Sequence, residues 1–463
     1  MLRIYPIPFL LVACASGAFA QEAPAPANSE GSLQSDLRRE GDQFQTDCAS
    51  AKKNFFSCLS DLVHGGPLLL TGGSFPPGNS FGVGPAFGWE HNLNESWRSA
   101  TNVEVMASTN ESWMASFNFR AIRVSDDPLT PIYHRPVKGT AKKVQLQHDP
   151  ELNAYAEVIS LNKLSYYGIG PDTSRQSLAL YGMRELTLGG NVNYPIKDSG
   201  FAFFGDLGAR FFSLHGSAAD TNSSIEQLYN NVTAPGLGQQ KGFFQPSEGI
   251  RFDRDLSSYF ILNYSATLQE FAGFSSDSFQ RLNLDFLHTI PLYKLERSAP
   301  PSKPAAGAPA AKPAAVEKTR NRDGSIDLEA LIVTSFAPSG NVIPFYLQPT
   351  LGGADINGEK MLASYPDYRF RAPNLMLFRG AIEHSIWGPI GAMFQADTGK
   401  VAIARGDLGF QHLLHSYAVG LTIQAGGYPM VQLLFAWGGH EGTHTIAAIN
   451  PALIGGGFRP SLY

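Results

Sequence analysis

The one segment whose residue types and spacing match a known chemistry is His440-Glu441-Gly442-Thr443-His444. In an H-E-x-x-H segment, two histidines one helical turn apart hold zinc and the glutamate activates a water. That chemistry requires a helix. Here Gly438 and Gly439 precede the segment, Gly442 interrupts it, and Trp437 closes a stretch of alternating apolar residues. In a strand or turn the two histidines cannot share a helical face, so the segment reads as a turn between two strands. Two glycine pairs, Phe81-Gly82-Val83-Gly84-Pro85 and Tyr167-Gly168-Ile169-Gly170-Pro171, imitate nucleotide loops. A proline follows each pair and no helix comes after, which argues against phosphate binding. Glycine in a strand more often permits bending or close packing. No Ser/His/Asp order or carboxylate pair stands out. The chain is expected not to be an enzyme, and no metal or cofactor is expected.

Cysteines add little reactive chemistry. Cys14 lies in an N-terminal export signal: Arg3, an apolar run from Ile4 to Ala13, then Ala18-Phe19-Ala20. Cleavage after Ala20 gives a signal peptide of residues 1–20. Leu11-Val12-Ala13-Cys14 offers a second reading, a lipobox with lipidation at Cys14. In an oxidising compartment Cys48 and Cys58 are candidates for a disulfide, since no histidine stands near either at ligand spacing. They belong to a leader, residues 21–64, whose first half is rich in Ala, Pro, Ser, Glu and Gln and whose second half holds one short helix around 48–63.

The elements that must position everything else are strands. From about Phe81 the apolar period is two. Trp113, Ala115, Phe117 and Phe119 oppose Met114, Ser116, Asn118 and Arg120. Phe203, Leu207 and Phe211 oppose Asp206, Gly208 and Arg210, and Leu282, Leu284 and Phe286 oppose Arg281, Asn283 and Asp285. About sixteen strands follow, at roughly 80–90, 97–108, 111–122, 152–165, 175–185, 186–195, 200–213, 241–252, 257–270, 277–291, 328–338, 373–386, 388–398, 413–425, 427–438 and 442–450. A sandwich would turn the charges to solvent, whereas a barrel in lipid turns them to a wet lumen. Charged residues are only 16% of the chain, aromatics 11% and glycines 47 in number, and no run reaches the roughly 18 apolar residues of a membrane helix. The fold expected is all-β: a transmembrane antiparallel β-barrel over residues 65–463. A net charge of −5 without a basic stripe argues against a nucleic-acid partner. Long connections at 123–151 and 214–240 are expected outside the cell, and short ones at Thr109-Asn110 and 197–200 in the periplasm. The Pro/Ala-rich stretch 299–322 reads as a flexible linker inserted at a periplasmic turn.

Between the eleventh and twelfth strands lies Pro349-Thr350-Leu351-Gly352-Gly353, then Leu362-Ala363-Ser364-Tyr365 and Tyr368-Arg369-Phe370-Arg371-Ala372-Pro373-Asn374-Leu375. Further on comes Ala396-Asp397-Thr398-Gly399-Lys400. In this order the blocks resemble the bacterial surface antigen family, the barrels of outer-membrane assembly factors and two-partner secretion transporters. The resemblance spans roughly Phe81 to Tyr463 and is most specific from Val342 to Val401. It extends to Gly439–Gly442, which matches the family's Gly-x-Glu-Gly turn. It implies an outer-membrane location, a loop folded into the lumen, and a role in inserting or exporting proteins. The partners it implies are outer-membrane lipid and unfolded or exported client proteins.

In that family a loop Arg-Gly-Tyr/Phe contacts a strand bearing Asp-x-Gly. Here Ala363 and Ser364 replace the Arg and Gly, and Tyr365 matches. The resemblance therefore implies a loop–lumen contact of Tyr365, Arg369, Arg371, Asp397 and Gly399, with Arg369 or Arg371 pairing Asp397. A segment of 21–64 is too short for the family's docking domain, which leaves a second reading, a passive structural or pore-forming barrel.

Overall fold

In the computed structural model the described residues are 68–94, 96–123, 150–196, 199–217, 222–240, 242–257, 260–274, 277–295, 320–387, 390–425, 428–439 and 441–449. The export signal, the leader with Cys48 and Cys58, His440 and most of the 299–322 stretch lie outside them.

Sixteen strands form one antiparallel sheet in sequence order. The first eight are β1 (Leu68–Ser74), β2 (Phe81–Asn94), β3 (Trp97–Ser108), β4 (Trp113–Arg123), β5 (Glu151–Tyr166), β6 (Ala179–Pro195), β7 (Phe201–Gly216) and β8 (Gly242–Ser257). Then come β9 (Phe260–Gly273), β10 (Phe279–Leu295) and β11 (Arg320–Phe336). After an inserted hairpin, β12 (Thr350–Leu351) and β13 (Phe370–Arg371), the sheet continues with β14 (Asn374–Trp387), β15 (Ile390–Ala402), β16 (Leu414–Ala425), β17 (Tyr428–Gly439) and β18 (Gly442–Ile449). Residues of β1 and β18 come within 8 Å of each other, Cα to Cα, so the sheet rolls round on itself. No ladder hydrogen bonds join these two strands among the described residues. No described helix is long and apolar enough to cross a membrane.

The count of sixteen agrees with the sequence expectation, but two strands differ. β1 was not expected, because Leu68-Leu69-Leu70 and Gly72-Gly73 hide its period of two. The expected strands 175–185 and 186–195 are one strand, β6. Consecutive Arg184 and Glu185 put polar groups on both faces, and that imitates a turn. Every expected strand before β6 therefore moves one place along. In an antiparallel sheet, successive connections alternate between the two ends. The connection 124–150 thus lies at the opposite end from 217–241, and residues 109–112 at the opposite end from 196–200. The expected grouping of these loops was wrong by that one strand. β11 also starts earlier than expected, so residues 320–322 belong to a strand and not to the linker.

The amphipathicity is inverted relative to a water-soluble sandwich. Outward-facing Phe203 and Leu207 are 53% and 61% exposed, with Phe211, Leu152, Leu188, Val192, Phe117, Val103 and Val105 also exposed. Inward-facing Glu104, Glu157, Glu185, Arg210 and Arg281 are buried, as are Asn118, Asn153 and Asn191. Buried charges are tolerated when paired. Arg210 holds Glu185 at 3.1 Å, and Tyr155 donates to Asp206 at 2.9 and 3.0 Å. The apolar core fills one end of the interior. There Phe345, Tyr346 and Leu347 of the β11–β14 connection pack with Tyr166, Tyr181, Phe212, Phe243, Phe271 and Phe279 from the wall.

The ends of β10 and β11 are adjacent, since Leu295 pairs with Arg320. Replacing residues 297–318 by an Asn-Gly turn should therefore leave the sheet folded and its gel mobility still shifted by heating. Loss of the folded form would show that the excised segment holds the two strands together.

Candidate functional site

The site is the seat of the β11–β14 connection against the inner wall. Three groups of contacts make it.

The first group is a straight row of wall residues. Glu329 on β11 pairs in register with Arg379 on β14, Arg379 with Asp397 on β15, and Asp397 with Ser416 on β16. The Arg379 guanidinium meets Asp397 at 3.0 Å and Glu329 at 3.1 Å, and donates to the carbonyl of Lys360. Asp397 also accepts from the Leu362 N–H at 2.9 Å and from Gln395 at 2.8 and 3.0 Å. The Ser364 N–H donates to Ser416 Oγ at 2.8 Å. Alternate loop residues 360, 362 and 364 thus read three successive strands, from a turn in which the Tyr365 N–H donates to the Leu362 carbonyl at 3.0 Å. Leu362 reaches its position with a φ of 53°. For a leucine that left-handed conformation is strained, and it persists because the surrounding contacts determine it.

The second group ties the loop to other connections. Arg369 binds the Glu441 carboxylate through Nε at 2.8 and 2.9 Å and through Nη2 at 2.7 Å. It also donates to Thr173, and its guanidinium lies over the rings of Tyr167 and Phe370. Arg371 donates to the Phe345 carbonyl at 2.6 Å, and its own carbonyl accepts from the Gly170 N–H at 2.7 Å. Tyr368 donates to the Pro77 carbonyl at 3.2 Å. From the wall, Arg281 donates to the Leu347 carbonyl. The loop therefore touches the β1–β2 connection through Pro77 and the β17–β18 connection through Glu441, the two extremes of the sheet.

The third group is apolar. Tyr365 is buried with its ring edge to Phe370 at 5.2 Å. A Cβ added to Gly439 would meet that ring at 2.5 Å, so glycine lets Tyr365 lie flat on β17. Gly352 (φ 108°) has the Arg369 Cβ where its own Cβ would stand, at 2.7 Å, so no larger residue fits the hairpin there.

Of the expected contact residues, Asp397 meets the loop through the Leu362 N–H, and Tyr365 meets the wall at Gly439 rather than at Asp397. Arg369 and Arg371 do not pair with Asp397. They share one face of the short β13 hairpin and point to the β5–β6 connection. Phe370, between them, faces the cluster with Leu351, Leu377 and Val401 on the Asp397 side. Asp397 is instead compensated by Arg379, a wall residue that sequence reasoning missed. Its signal was present in the sequence, because Arg379 and Asp397 become neighbours once β14 and β15 are paired in register. Gly399 has a different role from the expected one. A Cβ there would meet the Met376 carbonyl at 2.5 Å, so it allows β14 and β15 to approach closely. In the H-E-x-x-H segment, β18 begins at Gly442. His444 therefore sits on a strand, and Glu441 is held by Arg369.

Two loop groups titrate unusually. Burial raises the Asp367 carboxyl, partly offset by the Ala354 N–H that it accepts at 2.8 Å. Burial lowers the Lys360 ammonium to about 8, against the pull of Asp367 and Glu359. Its Nζ has no hydrogen-bond partner among the described residues.

No family model matches the chain, and no curated protein matches it. Among solved structures it is similar to CdiB from Acinetobacter baumannii, with 12% identity and a TM-score of 0.44, covering 83% of this chain and 56% of that one. It is similar to BamA from Haemophilus ducreyi lacking POTRA domains 1–3, with 12% identity and a TM-score of 0.46, covering 83% of this chain and 68% of that one. For CdiB from Escherichia coli the identity is 10%, the TM-score 0.46, and the coverage 80% and 58%. The chain thus spans little more than half the length of the CdiB chains it matches.

Two measurements check this seat. Arg379→Ala and Asp397→Ala should each lower the unfolding temperature in detergent. Their double mutant should lose about 1–3 kcal/mol less than the sum, as residues in contact do. Arg369→Ala with Asp397→Ala should be additive within about 0.5 kcal/mol. Coupling in the second pair and not the first would reverse the assignment.

The Lys360 shift sets a pH dependence. Its folded value lies below its unfolded value, so the folded state binds fewer protons between them. Loop stability should therefore rise from pH 8 to about pH 10, where tyrosines begin to ionise. Lys360→Met should flatten that rise in a pH series of thermal melts. An unchanged slope in the variant would show that Lys360 does not cause it.

Proposed function

We propose that the protein is an outer-membrane β-barrel that handles unfolded or exported polypeptides. The observation that carries this reading is the seam between β1 and β18. Both strands are short, they approach each other, and no ladder bonds join them among the described residues. An open strand edge is a template on which another chain's strand can pair. In lipid such an edge is costly unless something pairs with it. When β1 and β18 part, a client strand would supply that pairing, and the loop seated on both flanking connections would keep the interior filled meanwhile.

The inverted amphipathicity supports the membrane reading, because lipid accepts the exposed leucines and phenylalanines while the charges pair inside. The outward stripe of β4 runs from Trp113 to Arg123. Ten residues span about 33 Å along a strand, or about 25 Å at a tilt of about 40°, the height of an outer-membrane apolar band. The end carrying the β11–β14 loop also has the connections 167–178, 217–241 and 403–413. The tightly packed seat of the loop favours the second reading, a passive barrel, if that loop never moves. No catalytic chemistry is assigned to either reading.

Reconstitution tests the proposal. Vesicles holding the full-length chain should fold a urea-unfolded outer-membrane β-barrel client several-fold faster than empty vesicles, with little steady ion conductance. Unaccelerated folding together with a stable conductance would make it a passive pore.

A further inference from the structure

At the rim of the apolar band the outer face carries a row of unlike character. Trp113 on β4 pairs in register with Ser160 on β5, Ser160 with Arg184 on β6, and Arg184 with Ser213 on β7. Arg184 and Ser213 are exposed, and the Arg184 guanidinium lies 5.9 Å from the centre of the Trp113 ring. It therefore reaches back across β5, over Ser160, which is buried although it faces outward. One step toward the loop-bearing end, Gly182 pairs with His215, and the imidazole lies across the glycine, where a Cβ would meet Nε2 at 2.1 Å. On the other side of the row the outward stripe is apolar: Leu186, Leu188 and Val192 on β6, and Phe211 and Leu207 on β7.

Arg184 forms no ion pair with a carboxylate among the described residues. The nearby acid Glu226 is engaged by the Ser224 hydroxyl at 2.6 Å. The arrangement is thus an exposed guanidinium laid across β5 and braced on an indole, at the boundary where apolar surface gives way to polar. Guanidinium groups are donors matched to phosphate oxygens, and an arginine on an aromatic face is preorganised for such contacts. Indole rings at this depth settle among headgroups.

We propose that Arg184, held on the Trp113 ring, binds the phosphate of an anionic lipid headgroup. The proposal rests on the membrane reading above. An acyl chain would lie along the Leu186–Val192 stripe while the phosphate neutralises Arg184.

The test uses the full-length chain in phosphatidylcholine vesicles doped with a brominated lipid, brominated phosphatidylglycerol in one series and brominated phosphatidylcholine in the other. Bromine quenches nearby tryptophan, and the Trp113 share is the difference from Trp113→Phe. For that share, the phosphatidylglycerol should be favoured about five-fold, the scale of one basic residue at an anionic surface. The preference should fall at high salt and vanish in Arg184→Gln, but persist in Arg123→Gln at the opposite rim. Equal quenching by the two lipids in the unmodified chain, or a preference that survives in Arg184→Gln, would overturn the site. Absence of quenching by either lipid would instead overturn the membrane reading, so the two failures are distinct. If Arg184→Gln does not fold, the comparison of the two lipids on the unmodified chain decides the question.

Discussion

The ion pair between Arg379 and Asp397 is the interaction on which the interior depends. A rolled sheet with charges on its concave face cannot form a dry core by itself. Its end is filled by a long connection that brings backbone amides and carbonyls with it, and each of those needs a partner once buried. Asp397 accepts one of these amides and Arg379 donates to one of these carbonyls. The two charges satisfy each other and the loop together. Removing either leaves a buried charge and an orphaned loop group, which is more costly than losing one contact.

The same economy appears elsewhere in the interior. Arg281 donates to the Leu347 carbonyl and lies over the rings of Phe271 and Phe279. Arg371 does likewise for Phe345. Arginine suits these places because its planar group offers several donors while its faces pack on rings. Through Arg369 and Tyr368 the loop also spans the seam region, touching Glu441 after β17 and Pro77 after β1. The loop is thus tied to the connections that flank both β1 and β18, the two strands that meet where the sheet rolls round on itself.

Much of the fold was legible in the sequence, because the period of two and the charges on alternate positions report both strands and their facing. Phe203, Leu207 and Phe211 face outward and Asp206 and Arg210 inward, as that pattern requires. It failed where the pattern was locally absent. Three leucines in a row concealed β1, and Arg184 beside Glu185 divided β6 in two. The second failure is informative, since Arg184 is polar on the lipid-facing side and forms part of the proposed headgroup site. In the loop seat, the residues Tyr365 and Asp397 were legible, but the partner of Asp397 was not. A search confined to the loop's own cations could not find Arg379, which becomes a neighbour only through strand register. Likewise the facing of Arg369 and Arg371 follows from the two-residue strand β13, too short to be read from sequence.

Residues 350–371 are seated on the inner wall rather than free in solvent. Amide hydrogen exchange of the folded protein in detergent micelles tests that seating most directly. The amides of Leu362 and Ser364, whose acceptors are Asp397 and Ser416, should exchange as slowly as those in the middle of β14 and β15. Exchange of both amides at the rate of an open coil, with the strands still protected, would contradict it.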